Sequence, residues 1–318
     1  MRNIGVGMGI MELPFRDGAG FWRWVDLCEA GGIDSLWQSD RIISREPVLE
    51  TMTVMAALAG RTRKMKFGMN VLSVALRDPV LVAKQCATID MLSGGRLLPA
   101  FGIGSPTGLE WAAMNIDTKT RGARTDEGLE IIRRLWAEDE VTFDGRFYKL
   151  DKATINPKPV QADLPLWIGG SSEAAIKRTA RIGTGWQAAA ETPAEIAPLV
   201  QAIRTQAAAL GRSIDEDHFG IGIPFRFGRP DDPGVARVMD AYRKRVQRDP
   251  LDYFAIGDAT TVMDRISAYV DAGLSKFVLR PVASGEDDVL AQTRLVVEQI
   301  LPKAAARWPK VKKKAAVA

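Results

Sequence analysis

The chain has 318 residues, 46% of them hydrophobic and 26% charged, with a formal charge of +4 at pH 7. That is enough to bury a sizeable core, as one large α/β domain or two smaller ones. No apolar run approaches the ~20 residues of a membrane helix, and "MRNIGVGMGIMELPF" has no small-residue cleavage site behind its hydrophobic stretch, so a cytoplasmic protein is expected, with no membrane partner.

His218 is the only histidine. Ser-His-Asp and Cys-His catalysis, histidine-rich zinc sites and HExxH all need histidines the chain lacks, and no metal centre is expected. Cys28 and Cys86 fall at helical spacing with Phe21/Val25 and Val82/Ile89, which reads as buried small hydrophobes. Arg307, Lys310, Lys312, Lys313 and Lys314 crowd the last stretch, read as a basic, solvated tail over 306–318 rather than a nucleic-acid contact.

In chain order, the periodicity predicts strands at 3–9, 35–39, 65–72, 96–104, 164–170, 185–190, 218–227 and 276–282. Helices are predicted near 20–31, 47–62, 79–92, 124–137, 172–182, 193–210, 259–272 and 286–305. Each strand is followed by one helix, which favours a (β/α)8 TIM barrel over a doubly wound sheet, as a single domain over 1–305. Two segments break the alternation: 140–153, where Asp144-Gly145 between alternating apolar residues predicts a β-hairpin, and the Pro- and Asp-punctuated 228–258. Insertions in βα loops tend to shape the active-site face of a barrel.

Several residues fall at strand ends, where a barrel places its chemistry. Asp40 closes the second strand and Arg41 follows it; an N-cap or a loop ion pair with Arg41 or Arg45 is the structural alternative for Asp40. Asn70 sits just inside the apolar run "NVLSVALRDP", where its amide needs partners among backbone, ligand or water. "GIGSPTGLE" offers Gly102, Gly104, Ser105 and Pro106, but no acidic residue supports a dinucleotide site. In "IGGSSEAA", Gly169 and Gly170 let backbone come close while Ser171 and Ser172 cap a helix whose N–H groups suit a phosphate. Arg280 is a further anion or substrate contact, and Trp167 and Trp186 are placed to wall a flat ring.

Longer motifs bear on the family. "GGIDSLWQSD", "RDPVLVAKQCATIDMLSGGRLLPAFGIG", "RTDEGLEIIRRLWAEDEVTFDGRFYKL", "PKPVQADLPLWIGG", "ARIGTGWQ" and "FAIGDATTVMDRISAYVDAG" occur in this order over more than 250 residues. With them the chain resembles the bacterial luciferase-like oxidoreductases, which use noncovalent reduced FMN or the deazaflavin F420. The resemblance implies a flavin-dependent oxidoreductase or monooxygenase with FMN, a separate flavin reductase, a small organic substrate and a homodimer paired through the apolar helix 47–62. F420-dependent hydride transfer is the alternative cofactor reading. The resemblance also implies a cis bond between Asn70 and Val71 at a bulge behind the central ring. Asp40 would lie near the ring's reactive centre, with Ser105 and Pro106 lining it and Gly169, Gly170, Ser171 and Ser172 at the cofactor tail.

The chain departs from the family at Arg41, where many members carry His; a guanidinium binds or stabilises anions but cannot act as a general base. Some deazaflavin-dependent members carry a catalytic Glu just after the fourth strand's turn, whereas here the next carboxylate is Glu110. Two other readings stand beside this one: a cofactor-free isomerase or aldolase, for which only Lys84 and Glu110 come near a strand end, and a non-enzymatic flavin-binding protein.

Overall fold

The computed structural model describes residues 2–310, so Lys312, Lys313 and Lys314 of the basic tail lie outside the described residues. The chain opens with β1 (Gly5–Ile10), α1 (Gly18–Gly31), β2 (Ser35–Gln38) and α2 (Thr51–Arg61). The third barrel strand comes in two pieces, β3 (Lys66–Met69) and β4 (Leu72–Ser73), and leads to α3 (Pro79–Ser93). The fourth is likewise split, into β5 (Leu97–Leu98) and β6 (Ala100–Gly102), with Pro99 between them because it has no N–H to give the ladder. A short α4 (Glu110–Ala113), α5 (Arg121–Ala137) and the antiparallel pair β7 (Val141–Asp144) and β8 (Lys149–Ala153) follow. Next come β9 (Trp167–Gly169), α6 (Glu173–Ile182), β10 (Gly185–Ala188), α7 (Pro193–Ala209) and β11 (Phe219–Phe227). The chain then runs through α8 (Pro233–Val246), β12 (Ala255–Gly257), α9 (Ala259–Asp271), β13 (Lys276–Pro281), α10 (Gly285–Leu295) and α11 (Leu301–Arg307).

With the two split strands rejoined, the pairing closes. β13 pairs with β1, β1 with β2 and β2 with β3, while β4 pairs with β6, β6 with β9, β9 with β10, β10 with β11 and β11 with β13, all in parallel. This is the (β/α)8 barrel expected from the alternation.

Its interior is a packed layer rather than a pore. Along β1, "GVGMGI", Val6, Met8 and Ile10 face the helices while Gly7 and Gly9 face inward, leaving the space that Trp37 and Val278 occupy; a Cβ on Gly9 would meet Val278 Cγ1 at 2.7 Å. Trp37, Trp167, Leu98, Ala100 and Val278 form this layer, with Val71 packed on it. Large rings against glycines from neighbouring strands fill a barrel of this size. The helices are bounded as their sequences direct: Asp78 caps α3 by accepting from the Val80 and Leu81 N–H groups, Pro79 occupies its first turn, and Gly94 ends it with φ +65°.

The expected hairpin is present at 141–153. The irregular segment 228–258 contributes α8 and β12, which extends the far end of β11 through Phe225↔Ala255 pairing. Helix α2 starts at Thr51, capped by Glu50, four residues later than predicted, because residues 40–50 run as a loop across the barrel mouth. The last predicted helix is interrupted by a π-turn at Val296–Ile300. Cys28 and Cys86 are buried and free, and burial pushes both thiols well up, away from nucleophilic use. Among the described residues no helix is long and apolar enough to cross a membrane.

Candidate active site

A cavity of about 630 Å³ opens where the barrel strands end. Its walls come from nearly every βα loop: Met11 and Glu12 after β1, Ser39 to Arg41 and Ile43 to Glu46 after β2, Asn70, Val71 and Ser73, Gly102 to Ser105 and Thr107 to Trp111, Gly169 and Gly170, Gln187 to Ala189, Gly222 and Arg280.

The floor is built at the break in the third strand. The Asn70–Val71 peptide bond is cis. Val71 turns toward the barrel axis between two glycines: a Cβ on Gly102 would lie 2.6 Å from Val71 Cγ2, and one on Gly169 would lie 2.7 and 2.9 Å from Cγ1 and Cγ2. Glycine on both flanking strands is therefore what makes room for Val71.

Asp40 stands at the rim, but its carboxylate is committed to the protein. Oδ2 accepts from the Ser73 N–H and Arg77 Nη1, each at 2.9 Å, and Oδ1 accepts from Arg77 Nη2 at 2.7 Å. The side chain is 1% exposed. Burial alone would pull the Arg77 guanidinium down, yet Asp40, and Glu50 at 3.1 Å, hold it above its ordinary value. The structural alternative for Asp40 was an N-cap or an ion pair with Arg41 or Arg45; the actual partner is Arg77, and the pair ties the β2 loop to the turn after β4. Arg41 itself faces the cavity, half-exposed, with Nη1 3.5 Å from Oε1 of the buried Glu110.

The remaining predicted residues divide. Asn70, Val71, Ser105, Gly169, Gly170 and Arg280 line the cavity. Pro106 is exposed and outside its wall. Ser172 is exposed and caps α6, accepting from the Ala175 N–H at 3.3 Å, while the Ser171 hydroxyl is buried without a hydrogen-bond partner among the described residues; neither serine lines the cavity. Trp186 is not a wall of the pocket: strand alternation turns it outward into the barrel–helix layer beside Phe219, and its Nε1 donates to the Gly170 carbonyl at 2.8 Å, bracing the turn. Trp167 lies below the floor, 6.0 Å from Trp37. Arg280 donates through Nη2 to the Tyr253 hydroxyl at 2.6 Å and the Gly222 carbonyl at 3.0 Å, and its Nε is buried without a partner among the described residues. His218 is at the opposite end of the barrel, at the start of β11, with Nδ1 2.9 Å from the Thr184 carbonyl.

Two residues of the site, Arg77 and Tyr253, escape a reading for motifs, and two others, Glu110 and Gln187, were legible only in part. Arg77 looked like a residue leading into the α3 cap, and Tyr253 sat in a segment read as an insertion. Glu110 depends on a four-residue helix too short to show a period. Gln187 did carry a signal, a polar residue at an inward position of "GWQAAA".

Residues 5–253 match the family model described as luciferase-like monooxygenase. An uncharacterized protein of Mycobacterium tuberculosis is 32% identical over 207 residues, covering 62% of this chain and 69% of the relative. An F420-dependent glucose-6-phosphate dehydrogenase of Kineococcus radiotolerans is 26% identical over 294 residues, covering 81% and 85%. Among solved structures, an F420-dependent secondary alcohol dehydrogenase in complex with an F420-acetone adduct superposes with TM-score 0.79 at 19% identity, over 93% of this chain and 98% of that one, which shows a shared fold. The match of 5–253, together with a closed barrel whose cavity lies at the strand ends, makes this chain a member of the luciferase-like monooxygenase family of flavin- or F420-dependent oxidoreductases.

Proposed function

We propose that the chain is an F420-dependent oxidoreductase that removes a hydride from a small organic alcohol. The residues present fit such a coenzyme. The glycine-flanked Val71 gives a smooth apolar support for a flat ring. The α6 N-terminus with Ser171 and Gly170 would take an anionic tail. Bound there, the coenzyme would supply the hydride acceptor.

The protein must then handle a proton, and the observation that carries this reading is Glu110. Among the described residues it is a buried carboxylate that faces the cavity without being committed to backbone or to a bidentate pair, with Arg41 at 3.5 Å. As the C–H bond of the alcohol breaks, Glu110 accepts the hydroxyl proton and a carbonyl product forms. Arg41 keeps its charge throughout and orients the carboxylate. The Kineococcus radiotolerans relative named as an F420-dependent glucose-6-phosphate dehydrogenase, matched over 85% of its length, supports the same choice.

A second reading, reduced FMN delivered by a separate flavin reductase, is favoured by Arg41, whose fixed cation at the mouth would stabilise negative charge developing during oxygen chemistry. For either reading we infer a homodimer. The outer face of α2 presents Thr53, Ala56, Ala57 and Gly60, and neighbouring α3 leaves Leu81, Met91 and Leu92 more than half exposed, an apolar face that a second copy would cover.

Glu110→Gln tests the proton role. It should lower kcat with F420 and an alcohol by about 10²-fold or more while leaving F420 affinity unchanged. Unaltered turnover would remove Glu110 from the mechanism.

A further inference from the structure

The inward face of β10 carries one polar side chain. Trp186 points outward, so Gln187 points into the barrel, and the register places glycine beside it on both sides: Gly169 on β9 and Gly220 on β11. Those glycines leave space for the amide; a Cβ on Gly220 would lie 2.6 Å from Gln187 Oε1. Gln187 is 1% exposed and lines the cavity, and neither Nε2 nor Oε1 has a hydrogen-bond partner among the described residues. A buried primary amide left this way is costly, so its partner is expected from outside the chain.

The position narrows what that partner is. Val71 lies against Gly169, which pairs with Gln187 in the sheet, so a single glycine separates Val71 from the strand position of Gln187. A carboxylate or phosphate would be drawn instead to Arg280, which lies against Gly222, two residues further along β11 and about 6.6 Å nearer the mouth. The amide has two donors and a double acceptor, and matches a group presenting a carbonyl beside an N–H. Flavins and deazaflavins both carry this group, as the imide edge of their pyrimidine ring.

We propose that Gln187 is a specificity-determining residue that hydrogen-bonds the imide edge of the coenzyme ring resting on Val71. This rests on the coenzyme reading above and adds to it which edge points inward and what holds it. It also explains why the strand keeps an amide where an aliphatic side chain would fill the space without an unsatisfied polar group.

The test uses the full chain with F420, FMN and FMN methylated at N3, each followed by ring fluorescence, in the wild type, Gln187→Leu and Gln187→Met. The coenzyme that binds wild type should lose roughly ten- to a hundred-fold in affinity in both variants. The thermal midpoint of the ligand-free variants should stay level or rise, because an unpaired amide has been removed, a pairing of effects that a purely structural residue would not give. If FMN binds, N3 methylation should weaken it in the wild type and not in the variants. Equal affinity in wild type and either folded variant would overturn the role of Gln187 alone. Failure of wild type to bind F420 or FMN would overturn the coenzyme reading itself.

Discussion

Asp40 and Arg77 form a bidentate pair with very little solvent around the carboxylate, and the Ser73 N–H supplies a third hydrogen bond. We propose that such a group holds the rim in place. Breaking a buried pair on one side leaves an uncompensated charge, at a cost of about 3 kcal/mol, the lower end of the usual range because Glu50 still faces Arg77. Asp40→Asn should therefore lower the urea midpoint by an amount corresponding to that loss, whereas Glu110→Gln should not. Equal stability of Asp40→Asn and wild type would show that the pair is not holding the rim. At this scale the sequence was informative about which strand ends carry polar residues and uninformative about their pairing. Asp40, Arg41, Asn70, Ser105 and Arg280 all reach the cavity. That Arg77 rather than Arg41 neutralises Asp40 depends on how the loop after β2 folds back over β4, a long-range fact with no local pattern.

The element that decides the site is the divided third strand. Its second half pairs with β6 and leaves Val71 between glycines of β6 and β9, so the floor depends on two residues having no side chain. Gly169→Ala would bring a methyl to within 2.7 Å of Val71, and such overpacking costs about 1 to 3 kcal/mol. The variant should be destabilised and should bind coenzyme less well as Val71 is forced upward, and Val71→Ala in the same chain should restore much of the stability. No recovery in the double variant would place the strain elsewhere. The eight βα units were legible because apolar runs alternate with 3.6-period segments, and the hairpin at 141–153 because of its Asp144-Gly145 turn. The late start of α2 and the four-residue α4 were not legible, since each reflects how a loop crosses the mouth rather than any repeat in the sequence, whereas the split at Pro99 has a local cause, a proline inside the strand run.

For the molecule as a whole, the closed sheet sets the division of labour. One layer of Trp37, Trp167, Leu98, Ala100 and Val278 fills the barrel, Val71 caps it, and the loops above enclose the cavity. Fold and family were legible from the order and spacing of motifs over most of the chain. The choice of coenzyme was not, because F420 and FMN have the same tricyclic shape and imide edge and differ at ring position 5, in ring substituents and in the tail, none of which leaves a local pattern in the sequence. The central claim is that this floor seats a flavin-type ring, and the direct measurement is a fluorescence titration of the full chain with F420, with FMN as competitor. The account predicts saturation at one F420 per chain, with binding weakened by Gly169→Ala. Absence of any saturable binding of F420 or FMN by the folded wild-type protein would contradict it.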